Sequence, residues 1–416
     1  MAIVWPKQPE LPPPGGSVQV VSVTPSNPPA SAASVELPPG VSYVRTDEQL
    51  HQLFREIEGE TLLALDTEAA SFHRYEDRVY LIQLSSRSAT AVIDPLSVTD
   101  LSPVGRVLAD PGIEVVFHDA DYDLRILDRD LGFRARSVFD TRIAAQLLRE
   151  PGVGLAALLQ KYLNVHLDKK FQRADWSRRP LSAPMLAYAA TDTHHLAELR
   201  DILRDRLQAS GRLTWAEEEF RLLEDVRWTQ REDSELDFLR IKGARALPNR
   251  SLAILRELYR WRDITARERD KAAFRVLNNQ PLLELAKTSP KDQAALARVA
   301  GVGPETARRA GKAILAAIER GQKVSEDDLP RTRHTPKPKP DPSFDQRLGR
   351  LKVARNAVAQ RLDLDPGVVC PNGTLENIAG RAPRTLDELR QLEAVRQWQV
   401  VEFGEILLEA VTESGK

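Results

Sequence analysis

One cysteine, Cys370, in 416 residues excludes an intramolecular disulfide framework and a cysteine-rich zinc site, and it fits a reducing compartment. An excess of charge of one sign is also missing. Lys plus Arg number 59 and Asp plus Glu 60, a formal net charge of -1, so any basic surface must be local. No run approaches the roughly 18 apolar residues of a membrane span. The start, MAIVWPKQPELPPPGG, has neither the basic head nor the apolar core of a secretory signal, so a cytoplasmic location is expected. The chain is too long for one ordinary core, and two to four domains are expected.

Residues 1–40 hold 10 of the 28 prolines and a single aromatic, Trp5. Such a segment cannot bury enough apolar surface to offset its ordering entropy, and a disordered tail is expected. From 41 to 212 short apolar runs alternate with helical patterns. TLLALDTE, YLIQLSS, TAVIDP and IEVVFH read as buried strands, and LHQLFREIEG, LSPVGRVLAD and DTRIAAQLLRE as helices, which together indicate an α/β domain. WAEEEFRLLEDVRW reads as a connecting helix within 213–245. Beyond it strand signals stop. Two helical regions, 246–322 and 346–416, flank a Pro- and charge-rich linker at 323–345.

Those two regions read as copies of one another. An ungapped offset of 93 residues aligns Arg262 with Arg355, Asn279 with Asn372, Leu282 with Leu375, Ala286 with Ala379, Pro290 with Pro383 and Leu296 with Leu389. One register held through a turn and its proline favours a true repeat of two small helical domains.

Three acidic pieces carry the chemistry. Asp66 and Glu68 lie two apart in a buried-type strand, so both carboxylates leave one face. Paired carboxylates there are costly unless something positive sits between them, and hard divalent cations are the natural occupant. Two solvated acids at a strand end are the bland alternative. Asp123 follows IEVVFH and opens a helix, and a strand-to-helix junction is where α/β sheets place ligands. First-turn acids also serve as caps, a role open to Asp119 and Asp121. Tyr188 and Asp192 lie four apart in PMLAYAATDTHHLAELRDIL, on one face of a helix whose small residues permit close approach to a sheet.

In order, D-x-E, H-x4-D-L and Y-x3-D resemble the DEDD family of 3′–5′ exonucleases, in its tyrosine branch. KKFQRADWSRRPL, residues 169–181, resembles the stretch before the third motif in ribonuclease D, and the helical copies resemble HRDC domains. The resemblance spans about 41–416. It implies a ribonuclease H-like α/β exonuclease domain with a mixed central sheet, followed by two small all-α HRDC domains. His118 and Asp123 imitate the histidine branch's H-x4-D, but in the second motif. At the third motif Ala187 stands five before Asp192 and Tyr188 four before, which favours the tyrosine branch.

The resemblance further implies two cations, Mg2+ or Mn2+, about 3.5–4 Å apart, that activate water and stabilise the leaving 3′ oxygen. Asp66 would bridge them, Glu68 and Asp192 would complete the site holding the attacking water, Asp123 would serve the second ion, and Tyr188 would orient the water. RNA with a free 3′ end is the implied partner, transfer RNA precursors among the candidates, with nucleoside 5′-monophosphates as product. A DNA exonuclease and a catalytically dead binding scaffold stay open as alternatives, and a monomer is expected.

Two basic groups could meet phosphate. Lys169, Lys170, Arg173, Arg178 and Arg179 border the third motif. In LARVAGVGPETARRAGKAI, Gly301 and Gly303 suit a tight turn, Pro304 starts a helix with free amides, and Arg308, Arg309 and Lys312 follow. The second copy replaces the glycines with Ala394 and Arg396, so one copy could bind nucleic acid while the other braces the architecture.

Overall fold

The computed structural model describes residues 37–229, 236–330, 341 and 343–412. The expected tail lies outside them up to residue 36, as do residues 331–340 and 342 of the expected linker. The first domain runs β1 (Val41–Val44), α1 (Asp47–Glu56), β2 (Leu62–Glu68), β3 (Leu81–Ser85), β4 (Thr90–Ile93), α2 (Ser102–Ala109), β5 (Glu114–Phe117), α3 (Asp121–Leu131), β6 (Val138–Asp140), α4 (Thr141–Leu147) and α5 (Leu155–Leu163). It closes with α6 (Ala183–His194), α7 (Leu196–Ala209) and α8 (Leu213–Glu224). Among the described residues the strands form one mixed sheet, ordered β1-β4-β3-β2-β5-β6. β2 runs antiparallel to β3 and parallel to β5, so its polar end, Asp66–Thr67–Glu68, sits beside the carboxyl end of a parallel neighbour.

The apolar half of β2 explains its central place. Leu63 and Leu65 pack on one side with Leu124 and Leu127 of α3. Leu62 and Ala64 pack on the other with Leu199 and Leu203 of α7. β1 and β6 have no counterpart among the runs read from sequence; β6 is only Val138–Asp140. Nor is PMLAYAATDTHHLAELRDIL one helix. It breaks at His195, whose φ/ψ of -103° and 3° end α6 and begin α7.

The helical copies are α9 (Asn249–Glu268), α10 (Ala273–Val276), α11 (Asn279–Thr288), α12 (Gln293–Ala297) and α13 (Gly303–Gln322), then α14 (Phe344–Leu362), α15 (Pro366–Val369), α16 (Asn372–Arg381), α17 (Leu386–Arg390) and α18 (Gln397–Thr412). Their internal hydrogen bonds repeat at the same offset. Arg262 donates to the Leu277 carbonyl (3.1 Å) and Asn279 Oδ1 (2.7 Å). Arg355 donates to the Cys370 carbonyl (3.2 Å) and Asn372 Oδ1 (2.8 Å). Ser289 and Ala382, also paired, both end a helix in the left-handed region, at φ 45° and 48°.

Each copy docks differently. α8, expected as a connector, belongs to the core through Leu213, Trp215, Ala216 and Phe220, and it seats the second copy. Glu218 accepts from the free amides of Gln397 (2.6 Å) and Trp398 (2.9 Å) at the start of α18, where a helix carries partial positive charge. Glu219 takes Arg396 Nε and Trp398 Nε1, each at 3.1 Å, and Trp398 stacks on Trp215 with centroids 4.7 Å apart. The first copy instead grips the loop after β2. Arg74 pairs with Asp270 at 3.0 Å, Tyr75 Oη donates to Asp263 at 2.9 Å, and the Ala272 amide donates to the His73 carbonyl at 3.3 Å.

Trp398→Ala removes both a buried ring and its stack, and should lower stability by about 3–5 kcal/mol. Urea denaturation measures this, and an unchanged midpoint would show that the Trp215–Trp398 contact does not hold the second copy in place.

Candidate active site

The sheet brings acids together from both of its faces. Asp66 and Glu68 project to one side of β2. Asp192 comes down on that side from α6, and the three carboxylates can converge with oxygens within 4.8 Å of one another. α6 reaches this depth because its sheet-facing positions are small: Ala189 and Ala190 are buried. Asp123 lies outside that trio. It enters from the opposite face, in the first turn of α3, where Thr67 Oγ1 donates to its Oδ1 at 2.5 Å.

The turn presenting Asp123 is not capped by Asp119 or Asp121. Asp140, from the end of β6, accepts from the amides of Ala120 (2.7 Å) and Asp119 (3.3 Å). The same carboxylate caps α4 through Arg142 N (2.8 Å) and Ile143 N (3.1 Å). His118 is occupied nearby, its Nδ1 2.8 Å from Thr141 Oγ1. Burial and Arg142 hold its pKa down to about 4, so it stays neutral.

Tyr188, one turn before Asp192, lies between two rings. Phe171 meets it edge-on at 5.8 Å and Trp176 lies nearly parallel at 6.2 Å. Burial, then the charges of Asp192, Glu68 and Asp66, keep its hydroxyl protonated well above the usual phenol range. Gln83 had no sequence signal beyond its strand. The register sets it directly opposite Asp66, fully buried, with neither amide atom engaged by another protein group.

No Lys, Arg or His pairs with Asp66, Glu68 or Asp192 among the described residues. Burial and then Asp192 push Asp66 up to about 8, and burial pushes Asp192 up to about 7. Glu68 rises through burial and then the charges of Asp66, Asp192 and Asp123. Asp123 rises through burial and Asp66, against the opposing pull of Thr67. Carboxylates enclosed together without a cation form the oxygen-rich, strongly negative donor set that a hard divalent ion satisfies.

The basic residues divide. Lys169, Lys170, Arg173 and Arg178 are exposed. Arg179 does not join them. Its guanidinium holds buried Asp94 at 2.6 and 2.8 Å and donates to the carbonyls of Trp176 (2.7 Å), Tyr80 (2.8 Å) and Arg178 (2.9 Å), which leaves no face for phosphate. Arg308, Arg309 and Lys312 are exposed on α13, after a turn in which Gly301 and Gly303 take φ of 82° and 67°. The equivalent turn of the second copy carries Arg396, spent on Glu219.

The fold and the acidic cluster define a 3′–5′ exonuclease followed by two helical accessory domains. A 3′–5′ exonuclease family model matches residues 41–208, and an HRDC domain model matches 251–318 and again 344–411. The chain is 33% identical over 350 residues to ribonuclease D of Granulibacter bethesdensis, covering 83% of this chain and 87% of that one. It is 35% identical over 290 residues to ribonuclease D of Escherichia coli, covering 69% and 76%. The crystal structure of Escherichia coli RNase D, described as an exoribonuclease involved in structured RNA processing, superposes with a TM-score of 0.65 at 28% identity, covering 90% and 99%. The chain belongs to the ribonuclease D family and is a 3′–5′ exoribonuclease.

The raised carboxyl pKa values have a direct consequence. Above the unfolded value near 4, the unfolded chain gives up protons that the folded site retains, so the cluster makes stability fall as pH rises toward about 8. A bound divalent cation reverses this by favouring the ionised acids and releasing their protons. Thermal melts should therefore show a larger Mn2+-induced rise in Tm at pH 8 than at pH 6. An equal rise at both would mean that these acids do not hold the ion.

Proposed function

We propose that the enzyme trims structured RNA, transfer RNA precursors among them, from a free 3′ end, acts as a monomer, and releases nucleoside 5′-monophosphates. The observation that carries this reading is the convergence of Asp66, Glu68 and Asp192, unpaired with any cationic side chain among the described residues, beside Asp123. Two divalent cations, Mg2+ or Mn2+, would supply activation of a water and stabilisation of the leaving 3′ oxygen in an in-line displacement. Asp66, the central acid, would be shared between them. Glu68 and Asp192 would hold the first with Asp66, and Asp123 would serve the second from across the sheet.

The protein's own part is positioning. Tyr188, kept protonated by burial and then by its acidic neighbours, is a hydrogen-bonding group for the attacking water rather than a base, since a phenol held above its ordinary range does not ionise at neutral pH. Phe171 and Trp176 fix that ring's orientation. Lys169, Lys170, Arg173 and Arg178, exposed on the loop that carries Phe171, would meet the incoming phosphates. Arg308, Arg309 and Lys312 on the first copy would hold the RNA further from its end. The family resemblance of the whole chain to ribonuclease D supports the RNA preference.

Asp66→Ala or Asp192→Ala should abolish release of mononucleotides from a 5′-labelled RNA in Mg2+ or Mn2+. Tyr188→Phe should keep a small residue of activity, about 10²–10⁴-fold below wild type. Wild-type rates in Tyr188→Phe would remove the hydroxyl from the reaction. Chelator-resistant hydrolysis would overturn the metal-dependent scheme, and digestion of DNA alone at the same sequence would overturn the RNA preference.

A further inference from the structure

Two phenylalanines stand exposed side by side where the first helical copy meets the loop after β2. Phe72 is 45% exposed and Phe274 44%, and their rings meet edge to face with centroids 6.2 Å apart. The guanidinium of Arg173 lies 5.3 Å from the centre of the Phe72 ring, and among the described residues it pairs with no carboxylate.

Three separate segments hold these groups rigidly. Arg275, next to Phe274, donates from Nε to the Phe72 carbonyl. The Ala272 amide donates to the His73 carbonyl at 3.3 Å. His73 Nε2 lies 3.0 Å from the Arg173 carbonyl. The neighbouring acids are engaged elsewhere: Asp270 by Arg74 at 3.0 Å, and Asp175 by Ser177.

Packing does not require Phe274. At the same offset of 93 the second copy carries Gly367, also exposed, and that copy folds with the same helix limits, α10 matching α15. The aromatic side chain is present only in the copy that borders the loop after β2. Phe72 lies four residues beyond Glu68, so an extended chain could place it no more than about 14 Å away. A basic and aromatic path connects the two places, from Tyr188 through Phe171, with Lys170 over the Phe171 ring at 5.5 Å, to Arg173.

We propose that Phe72 and Phe274, with Arg173, form a platform on which unpaired bases of the RNA stack just upstream of the 3′-terminal nucleotide. Exposed aromatic faces beside cationic groups are how single strands are gripped without sequence preference. The platform rests on the exoribonuclease reading of the adjacent site for its substrate, and it gives the first helical copy a direct part in holding that substrate. It also favours a 3′ end with several unpaired nucleotides, because paired bases have no free face to stack.

Binding in chelator separates this proposal from hydrolysis. Fluorescence anisotropy of an eight-nucleotide oligoadenylate, with one abasic ribose walked along it, should show wild-type affinity falling about tenfold at one or two positions near the 3′ end. In the Phe72→Ala, Phe274→Gly double variant, affinity for the intact oligonucleotide should fall by a similar factor, and the abasic substitutions at those positions should then cost nothing further. An abasic scan that is flat upstream of the terminal nucleotide would overturn the platform using wild-type protein alone. So would a double variant that stays as sensitive to the abasic sites as wild type. Absence of hydrolysis by wild-type enzyme in Mg2+ would count against the exoribonuclease reading, with the binding comparison still deciding the platform.

Discussion

Burial of several carboxylates in one small space is the constraint on which the rest of this molecule depends. Asp66, Glu68 and Asp192 share a small space, no basic side chain among the described residues pairs with them, and Asp123 adds its charge from the far face of the sheet. Burial first, and for Asp66, Glu68 and Asp123 then the charge of neighbouring acids, make such a site resist ionisation. The fold must therefore hold the acids in place. Leu62–Leu65 anchor β2 on both faces, Ala189 and Ala190 let α6 descend, and Asp140 fastens the turn that delivers Asp123. Rigid elements enforce an arrangement that the side chains themselves oppose, a common form of strain at functional sites.

The helical copies show one fold put to two uses. Both keep the internal Arg–Asn bond that joins their first long helix to the next. The second spends its turn on Glu218 and Glu219 of α8. The first leaves its glycine turn and α13 cations exposed and fastens its other end to the loop that follows Glu68. Among the described residues, the first copy thus combines exposed basic residues with contact to the loop after β2.

Local periodicity made much of this legible in the sequence. Alternation along LLALDTE puts Asp66 and Glu68 on one side, helical spacing puts Tyr188 and Asp192 on one face, and the constant offset exposes the duplication. Long-range pairing was not legible. Nothing local shows that Asp123 approaches from the opposite face, that Gln83 stands opposite Asp66, or that Asp140 fastens the turn before α3. Arg179 reads like its basic neighbours, yet Asp94, 85 residues away in the chain, consumes it. β6, only Val138–Asp140, is too short to show a period, and the break at His195 leaves no Pro or Gly to mark it.

The central claim is that the four acids exist to hold divalent cations. Anomalous diffraction from crystals soaked in Mn2+ tests it most directly. A peak is expected among Asp66, Glu68 and Asp192 and a second beside Asp66 and Asp123. Density for Mn2+ elsewhere, with the carboxylates bare, would contradict it.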